Sequence, residues 1–289
     1  MINQKAKQLL AEVVSNKKVG TYSHIVLAVN EISGFVRPGN FVSIAVGGAN
    51  SSLVLRRAFA IYRSSIRGDG QGLLEIIVAQ SGAGSRWLTE REIGDQVDLI
   101  APLGTSFGIP TEPVNALLVG GGYGSAPLFA LADLLKMRGC RNHMIIGAGT
   151  ATNIFAPLEG KRSVHSLTIT TDDGTAGTMG RVTDVIPEII QTNDIEIVYS
   201  CGPMAMLEAV SKISQELDIM HQCSVEESMA CGIGVCMTCV IPVRQAKIAN
   251  DEQSDRIVMT RTCIEGPVIN AADVVWTDSR EIPEGVWGK

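Results

Sequence analysis

Hydrophobic and polar positions change rhythm twice along this chain. Up to about residue 110 the apolar residues come in short runs, "YSHIVLAV", "NFVSIAV", "RRAFAIYRS", "LLEIIVAQ" and "QVDLIAPLG", parted by Gly, Pro, Asn or Asp. Such runs predict strands, and their regular succession predicts a small antiparallel barrel. From about Val114 the runs lengthen and alternate in kind. "NALLVGGG" reads as a buried strand entering a glycine turn, and "SAPLFALADLLKMRG" as a helix ending at Gly139. Strands follow at "HMIIGAG", "SLTITTDDG" and "IEIVYSCGP", with helices at "VTDVIPEIIQ" and "AMLEAVSKISQEL". Strand–helix alternation predicts a parallel sheet flanked by helices. From about Cys223 the chain is too short for a large core and is rich in cysteine, so a metal centre would help to stabilise it. The expected architecture is therefore a β-barrel plus α/β, with boundaries at residues 1–111, 112–222 and 223–289.

Composition narrows the function. The 289 residues include 30 glycines but only 3 Trp, 4 Tyr and 6 Phe, a balance suited to close backbone approach to cofactors. A net charge of −6 without basic blocks argues against nucleic acid as a partner. The opening "MINQKAKQLLAEVV" is amphipathic and lacks the layout of a signal peptide. The uncharged run from Pro113 to Ala132 is long enough to span a bilayer. Its four glycines and Pro127 divide it into strand, turn and helix instead, so no membrane span is expected. Seven cysteines, clustered late and without a secretory signal, fit a cytoplasmic protein whose grouped cysteines hold metal.

Three loops point to a dinucleotide. In "GGGYGSAP" the turn carrying Gly120, Gly121, Gly122 and Gly124 would bring backbone N–H groups against a pyrophosphate at a helix N-terminus. Ser125 stands where the usual fingerprint has a third glycine, and a plain tight turn is the alternative. "TDDG", with Asp172, and "SCGPM", with Cys201, Gly202 and Pro203, also follow predicted strands. In an open parallel sheet all three loops converge on one edge. In the barrel, "LRRAFAIY" places Arg56 and Arg57 on a strand, and "SGAGSRWL" is a second glycine turn before a helix. Both are anion-site candidates, or simply a charged rim.

Cys231, Cys236 and Cys239 are separated by four and then two residues, and Cys263 follows after twenty-three more. This is the plant-type [2Fe–2S] ligand run, three cysteines on one loop and a distant fourth. Structural zinc is the competitor, but its cysteines usually come as two short-spaced pairs. Cys140, Cys223 and the four histidines (His24, His143, His165 and His221) form no further constellation.

Together the Arg-bearing barrel strand, the "GGGxG…P" sheet with "CGPM" and the terminal cysteine loop resemble the ferredoxin–NADP reductase superfamily. Within it, "SVEESMACGIGVCMTCV" with "CIEGPV" is most similar to the electron-transfer subunits of NAD-linked dihydroorotate dehydrogenases. The resemblance implies FAD held by Arg57, Ala58, Phe59 and Ala60, by Ile77, Val78 and Ala79, and by the turn at Gly84 and Ser85. It implies a [2Fe–2S] cluster on Cys231, Cys236, Cys239 and Cys263, and NAD(H) as substrate. It also implies an FMN-containing catalytic partner in a heterotetramer of two of each, with the electrons relayed by cofactors rather than by a catalytic side chain. Three features depart from the family. Ala60 replaces a hydroxyl residue, Ala79 stands where a basic residue is usual, and the spacer before Cys263 is long. "VIPVR" and "RIVMTR" flank the polar "NDEQSD" in that spacer, which predicts an extended hairpin. Two other readings stay open. One is a flavin subunit of a ferredoxin-, sulfide- or hydrogen-linked complex; the other is a redox sensor without catalytic turnover.

Overall fold

The structure is a computed structural model that describes residues 6–48, 51–245, 256–276 and 286–287. Six strands close the barrel: β1 (Lys7–Val19), β2 (Tyr22–Ala28), β3 (Phe41–Ile44), β4 (Arg57–Ile66), β5 (Gly72–Val78) and β6 (Gln96–Leu103). They run in the order β1-β2-β5-β4-β3-β6, with every pairing antiparallel. Inward positions alternate with outward ones, as a pleated strand requires, and deliver Ile25, Leu27, Leu74, Ile76 and Leu99 to one apolar interior. The amphipathic opening segment is the longest strand, β1. It buries only Ala11 and Val13, and its polar remainder hides the strand rhythm in the sequence. Helix α1 (Ala83–Thr89) packs Leu88 into the barrel core.

The second half is the expected parallel sheet. β7 (Asn115–Gly121), β8 (Arg141–Ala148), β9 (Ser166–Thr171), β10 (Thr178–Met179), β11 (Ile197–Cys201) and β12 (Met220–Ser224) pair in parallel in the order β10-β9-β8-β7-β11-β12. Helices α2 (Ala126–Met137), α3 (Pro157–Ser163), α4 (Val182–Thr192) and α5 (Met204–Glu216) cover its faces. Leu118, Phe129 and Leu131 belong to the core on one face, and Leu117, Val119, Ile145 and Val198 to the core on the other. The apolar run from Pro113 to Ala132 is divided between β7, a short turn and α2, and no described helix is long and apolar enough to cross a membrane.

The C-terminal part is less separate than its cysteine content suggests. Cys223 lies inside β12, and β15 (Val268–Asn270) joins the parallel sheet by pairing antiparallel to that strand. β13 (Val240–Arg244) and β14 (Ile257–Arg261) form the expected hairpin, and β16 (Val286–Trp287) adds parallel to β14. The "NDEQSD" segment lies outside the described residues.

Barrel and sheet are joined by a packed seam. The rings of Tyr62, Phe129 and Phe155 meet edge-on at 5.5–5.9 Å between centroids. Beside them Arg63 of the barrel donates to Asp133 on α2 (2.6 Å) and to Glu159 on α3 (2.7 Å). Tyr62 donates to the same Glu159 at 2.6 Å. Burial, followed by that bond to a carboxylate, holds the Tyr62 phenol well above its usual range, so it is a donor at any physiological pH.

Candidate functional site

A cleft of about 900 Å³ opens where the barrel, the carboxyl edge of the parallel sheet and the cysteine-bearing segment meet. Its barrel wall is the predicted flavin set. Arg57, Ala58, Phe59 and Ala60 line it from β4, and Ile77 and Ala79 from β5 and its exit. Val78, between them, turns its side chain into the barrel core, as strand alternation dictates. The two arginines separate in role. Arg56 is bound to Asp98 at 2.8 Å, whereas the Arg57 guanidinium lies at the cleft and donates to the carbonyl of Leu55 at 2.7 Å. Gly84 packs under Arg57, and a Cβ there would lie 2.9 Å from its Nε. Ser85 Oγ accepts from the backbone N–H groups of Ser81 (2.9 Å) and Gly82 (3.0 Å), which fixes the turn beside that arginine.

The opposite wall is the predicted nucleotide set. Gly121, Gly122 and Gly124 line it after β7, Asp172 after β9, and Cys201, Gly202 and Pro203 at the end of β11. Gly120 lies one position deeper and packs on Ser125 instead. Ser125 takes the place of a third glycine because its hydroxyl ties the turn, donating to the Gly122 carbonyl at 2.8 Å. Burial pushes the Cys201 thiol up to about 12, so it faces the cleft uncharged.

The hairpin brings two of the four cysteines together. Val240 pairs with Arg261, so the residues just outside the paired segment, Cys239 and Cys263, meet at its base. Thr262 secures them, its N–H and hydroxyl both donating to the Cys239 carbonyl, at 2.9 and 3.0 Å. Cys231 and Cys236 form the other pair. The N–H groups of Ile233, Val235 and Cys236 approach Cys231 Sγ at 3.4–3.5 Å. Gly234 makes that curl possible: its φ is +80°, and a Cβ there would lie 2.5 Å from Ile264. Bonds to Thr238, then to Cys231, bring the Cys236 thiol down to about 6. Burial, then Cys239, raises that of Cys263 to about 12.

Among the described residues no three His, Cys, Asp or Glu side chains surround a single metal ion. Two pairs of thiols with backbone donors aimed at a sulfur suit a binuclear cluster better than one tetrahedral zinc. The donor set therefore fits a [2Fe–2S] group, and the barrel wall, with its arginine and glycine turn, fits a flavin nucleotide.

Sequence reasoning missed several cleft residues: Tyr22, Phe41, Tyr123, Arg181, Glu226 and Met229 all line it. Glu226 is reached by water through the cleft, yet the surrounding protein, then neighbouring Glu227, raises its carboxyl above the usual range. The signal for it was present. "MHQCS" is a further parallel strand, so the residues after it reach the same sheet edge as the other three loops.

A barrel and a nucleotide-binding sheet sharing one cleft, with a cysteine loop following directly on the cleft residues Glu226, Glu227 and Met229, define a flavin- and nicotinamide-linked reductase with an appended iron–sulfur segment. A solved NADH-dependent reduced ferredoxin-NADP oxidoreductase superposes with a TM-score of 0.78 at 26% identity, covering 93% of this chain and 90% of that one. The cytochrome b5 reductase domain of Ulva prolifera nitrate reductase shares the fold over 74% of this chain and 94% of its own (TM-score 0.60, 17% identity). Residues 226–275 match the iron-sulfur cluster binding domain of dihydroorotate dehydrogenase B. The dihydroorotate dehydrogenase B (NAD(+)) electron transfer subunit of Geobacillus thermodenitrificans is 35% identical over 266 residues, 91% of this chain and 96% of that protein. Its namesake in Fusobacterium nucleatum is 36% identical, over 82% of this chain and 86% of its own length. The chain belongs to the family of dihydroorotate dehydrogenase B electron transfer subunits.

Proposed function

We propose that this chain carries electrons between NAD(H) and an FMN-containing dihydroorotate dehydrogenase catalytic subunit, in a complex of two copies of each. The observation that carries this reading is the shared cleft, on which the flavin wall, the nucleotide wall and the stretch leading into the cysteine loop (Glu226, Glu227 and Met229) all face. Bound FAD and a [2Fe–2S] cluster would supply the redox chemistry, a hydride's two electrons entering from NADH and leaving singly. Arg57 and the Gly84–Ser85 turn hold the flavin's phosphates, and Gly121, Gly122 and Gly124 present backbone to the nicotinamide nucleotide's pyrophosphate. Cys201, uncharged and small, allows the nicotinamide to approach the flavin closely. Cys231, Cys236, Cys239 and Cys263 ligate the irons. Cys236 is exposed, which suits a cluster that hands electrons to another protein.

Reconstitution tests the division of labour. The chain alone should reduce dyes with NADH and leave dihydroorotate untouched, and adding the FMN-containing subunit should couple dihydroorotate to NAD. Dihydroorotate turnover by the chain alone would refute the assignment. The likeness to NADH-dependent reduced ferredoxin-NADP oxidoreductase across 93% of the chain favours a ferredoxin-linked complex as the second reading. The protein that co-purifies distinguishes the two. Absence of NADH-dependent dye reduction would point to a redox sensor.

A further inference from the structure

Two side chains, Phe41 and Met229, line the flavin cleft and also pack in the apolar group that contains Cys239 and Cys263. Phe41 is the larger and the better fixed, at 4% exposure. Its backbone lies on β3 opposite Ala60 of the flavin-binding strand and opposite Leu103 of β6. Its ring is held at both edges. A Cβ on Gly104 would lie 2.9 Å from Cε1, and one on Gly232, in the cysteine loop, 3.6 Å from Cε2. Gly104 is itself anchored, its carbonyl accepting from Asn40 Nδ2 at 3.1 Å, while the next residue, Thr105, donates its N–H to the Gly266 carbonyl at 2.6 Å. The ring is thus a spacer clamped between the flavin wall and the loop that bears the cysteines.

We infer that Phe41 is a positioning residue that sets the separation between flavin and cluster, and so controls passage of single electrons from one to the other. The inference rests on the proposed flavin and cluster sites. It concerns one step only: an electron leaves the NADH-reduced flavin and lowers one iron of the cluster from ferric to ferrous. The second electron of each hydride follows once the FMN-containing partner has taken the first from the cluster. Phe41 is neither in the nucleotide wall nor a cysteine ligand, so its effect is separated from hydride transfer and cluster assembly by comparing the cluster's rate of reduction with the flavin's. Removing the ring replaces packed side chain between β3 and the cysteine loop with water or empty space. That weakens the path the electron crosses.

The test mixes the purified, fully loaded protein with NADH anaerobically. Flavin bleaching is followed by absorbance and cluster reduction by rapid-freeze paramagnetic resonance, in wild type, Phe41→Leu and Phe41→Ala. Flavin bleaching is read in the same samples, so that cluster reduction is scored relative to it. Appearance of the reduced-cluster signal should slow severalfold in Phe41→Ala relative to flavin bleaching. Phe41→Leu should fall between the two. Dithionite should give the same cluster signal in all three, a readout that a merely structural defect would disturb. If Phe41→Ala loses flavin or cluster, Phe41→Leu decides. Cluster reduction at the wild-type rate in the loaded variant overturns the inference. No NADH-driven cluster reduction in wild type would instead defeat the proposed function.

Discussion

The parallel sheet and the cysteine lobe are stabilised in opposite ways. The sheet is buried on both faces, with Leu117, Val119, Ile145 and Val198 on one side and Leu118, Phe129 and Leu131 on the other. Each fully buried side chain of that kind stabilises the fold by about 1.5–3 kcal/mol, and none of them needs a cofactor. Among its described residues the lobe has a smaller reserve, Val225, Ile241, Ala271 and Val274. One of its apolar groups contains Phe41 and Leu103 of the barrel beside Cys239 and Cys263, and the other takes Leu207 from α5. Its order comes from neighbours and, on the proposed reading, from the metal. One region is fixed by hydrophobic periodicity and the other by ligand chemistry.

The largest expected effect exploits that contrast. Cys236→Ser should abolish the paramagnetic signal of the reduced cluster, while NADH-dependent dye reduction through the flavin persists. Hydrogen exchange should quicken across residues 225–276 and remain slow in β7, β8 and β11. Uniform loosening of the whole chain would show that the sheet is not the autonomous unit described here. Zinc without iron in anaerobically prepared protein would remove the cluster from the picture altogether.

The same contrast explains what was legible in the sequence. The strands and helices around Val119 and Leu131 announce themselves because buried elements on both faces of a sheet read as long apolar runs. The cysteine spacing was equally plain, since ligand chemistry tolerates few arrangements. β1 was not legible: with only Ala11 and Val13 buried, its thirteen residues carry no clear alternation. Nor was α3, seven residues entered from Ala156 in a left-handed conformation (φ 43°), too short to show helical periodicity. Phe41 and Met229 gain their place from tertiary contact across sequence distances that no local pattern encodes. The long spacer before Cys263 departs from the family, and the β13–β14 register shows that Cys239 and Cys263 nonetheless meet at one end of the paired strands.

A second test sharpens the comparison at the flavin wall, which is built on the rigid barrel. Arg57→Ala removes a charge-assisted contact worth about 1.5–3 kcal/mol, so FAD affinity should fall roughly ten- to a hundredfold. Fold and cluster content should be unchanged. Full flavin retention on dilution in that variant would move the phosphates elsewhere in the cleft.

A third test addresses the seam between barrel and sheet. Arg63 is 29% exposed and pairs with both Asp133 and Glu159. Arg63→Ala leaves two carboxylates and the Tyr62 hydroxyl without their cation. The loss should be about 1–2 kcal/mol in chemical unfolding, between the values for exposed and buried pairs. Stability unchanged to within a few tenths would mean that the aromatic rings alone hold the seam.

The smallest effect is at the far end of the nucleotide wall, where the sequence predicts NADH over NADPH because "GAGTATN" carries no cation. Lys161 and Arg162 do not line the cleft, but Arg181, at the start of α4, does. Asp172 lines the same end, its carboxylate facing Gly149. A carboxylate there favours a free ribose hydroxyl and repels a 2′-phosphate, whereas an arginine favours the phosphate. With both present the two effects partly cancel, so NADH should be preferred only modestly, by about tenfold in kcat/KM for a net difference of about 1.4 kcal/mol. Arg181→Ala should widen that preference and Asp172→Asn should narrow it. Because these residues lie on the cofactor-independent sheet, neither variant should disturb the cluster signal. A wild-type preference for NADPH, abolished by Arg181→Ala, would show that the arginine outweighs the carboxylate.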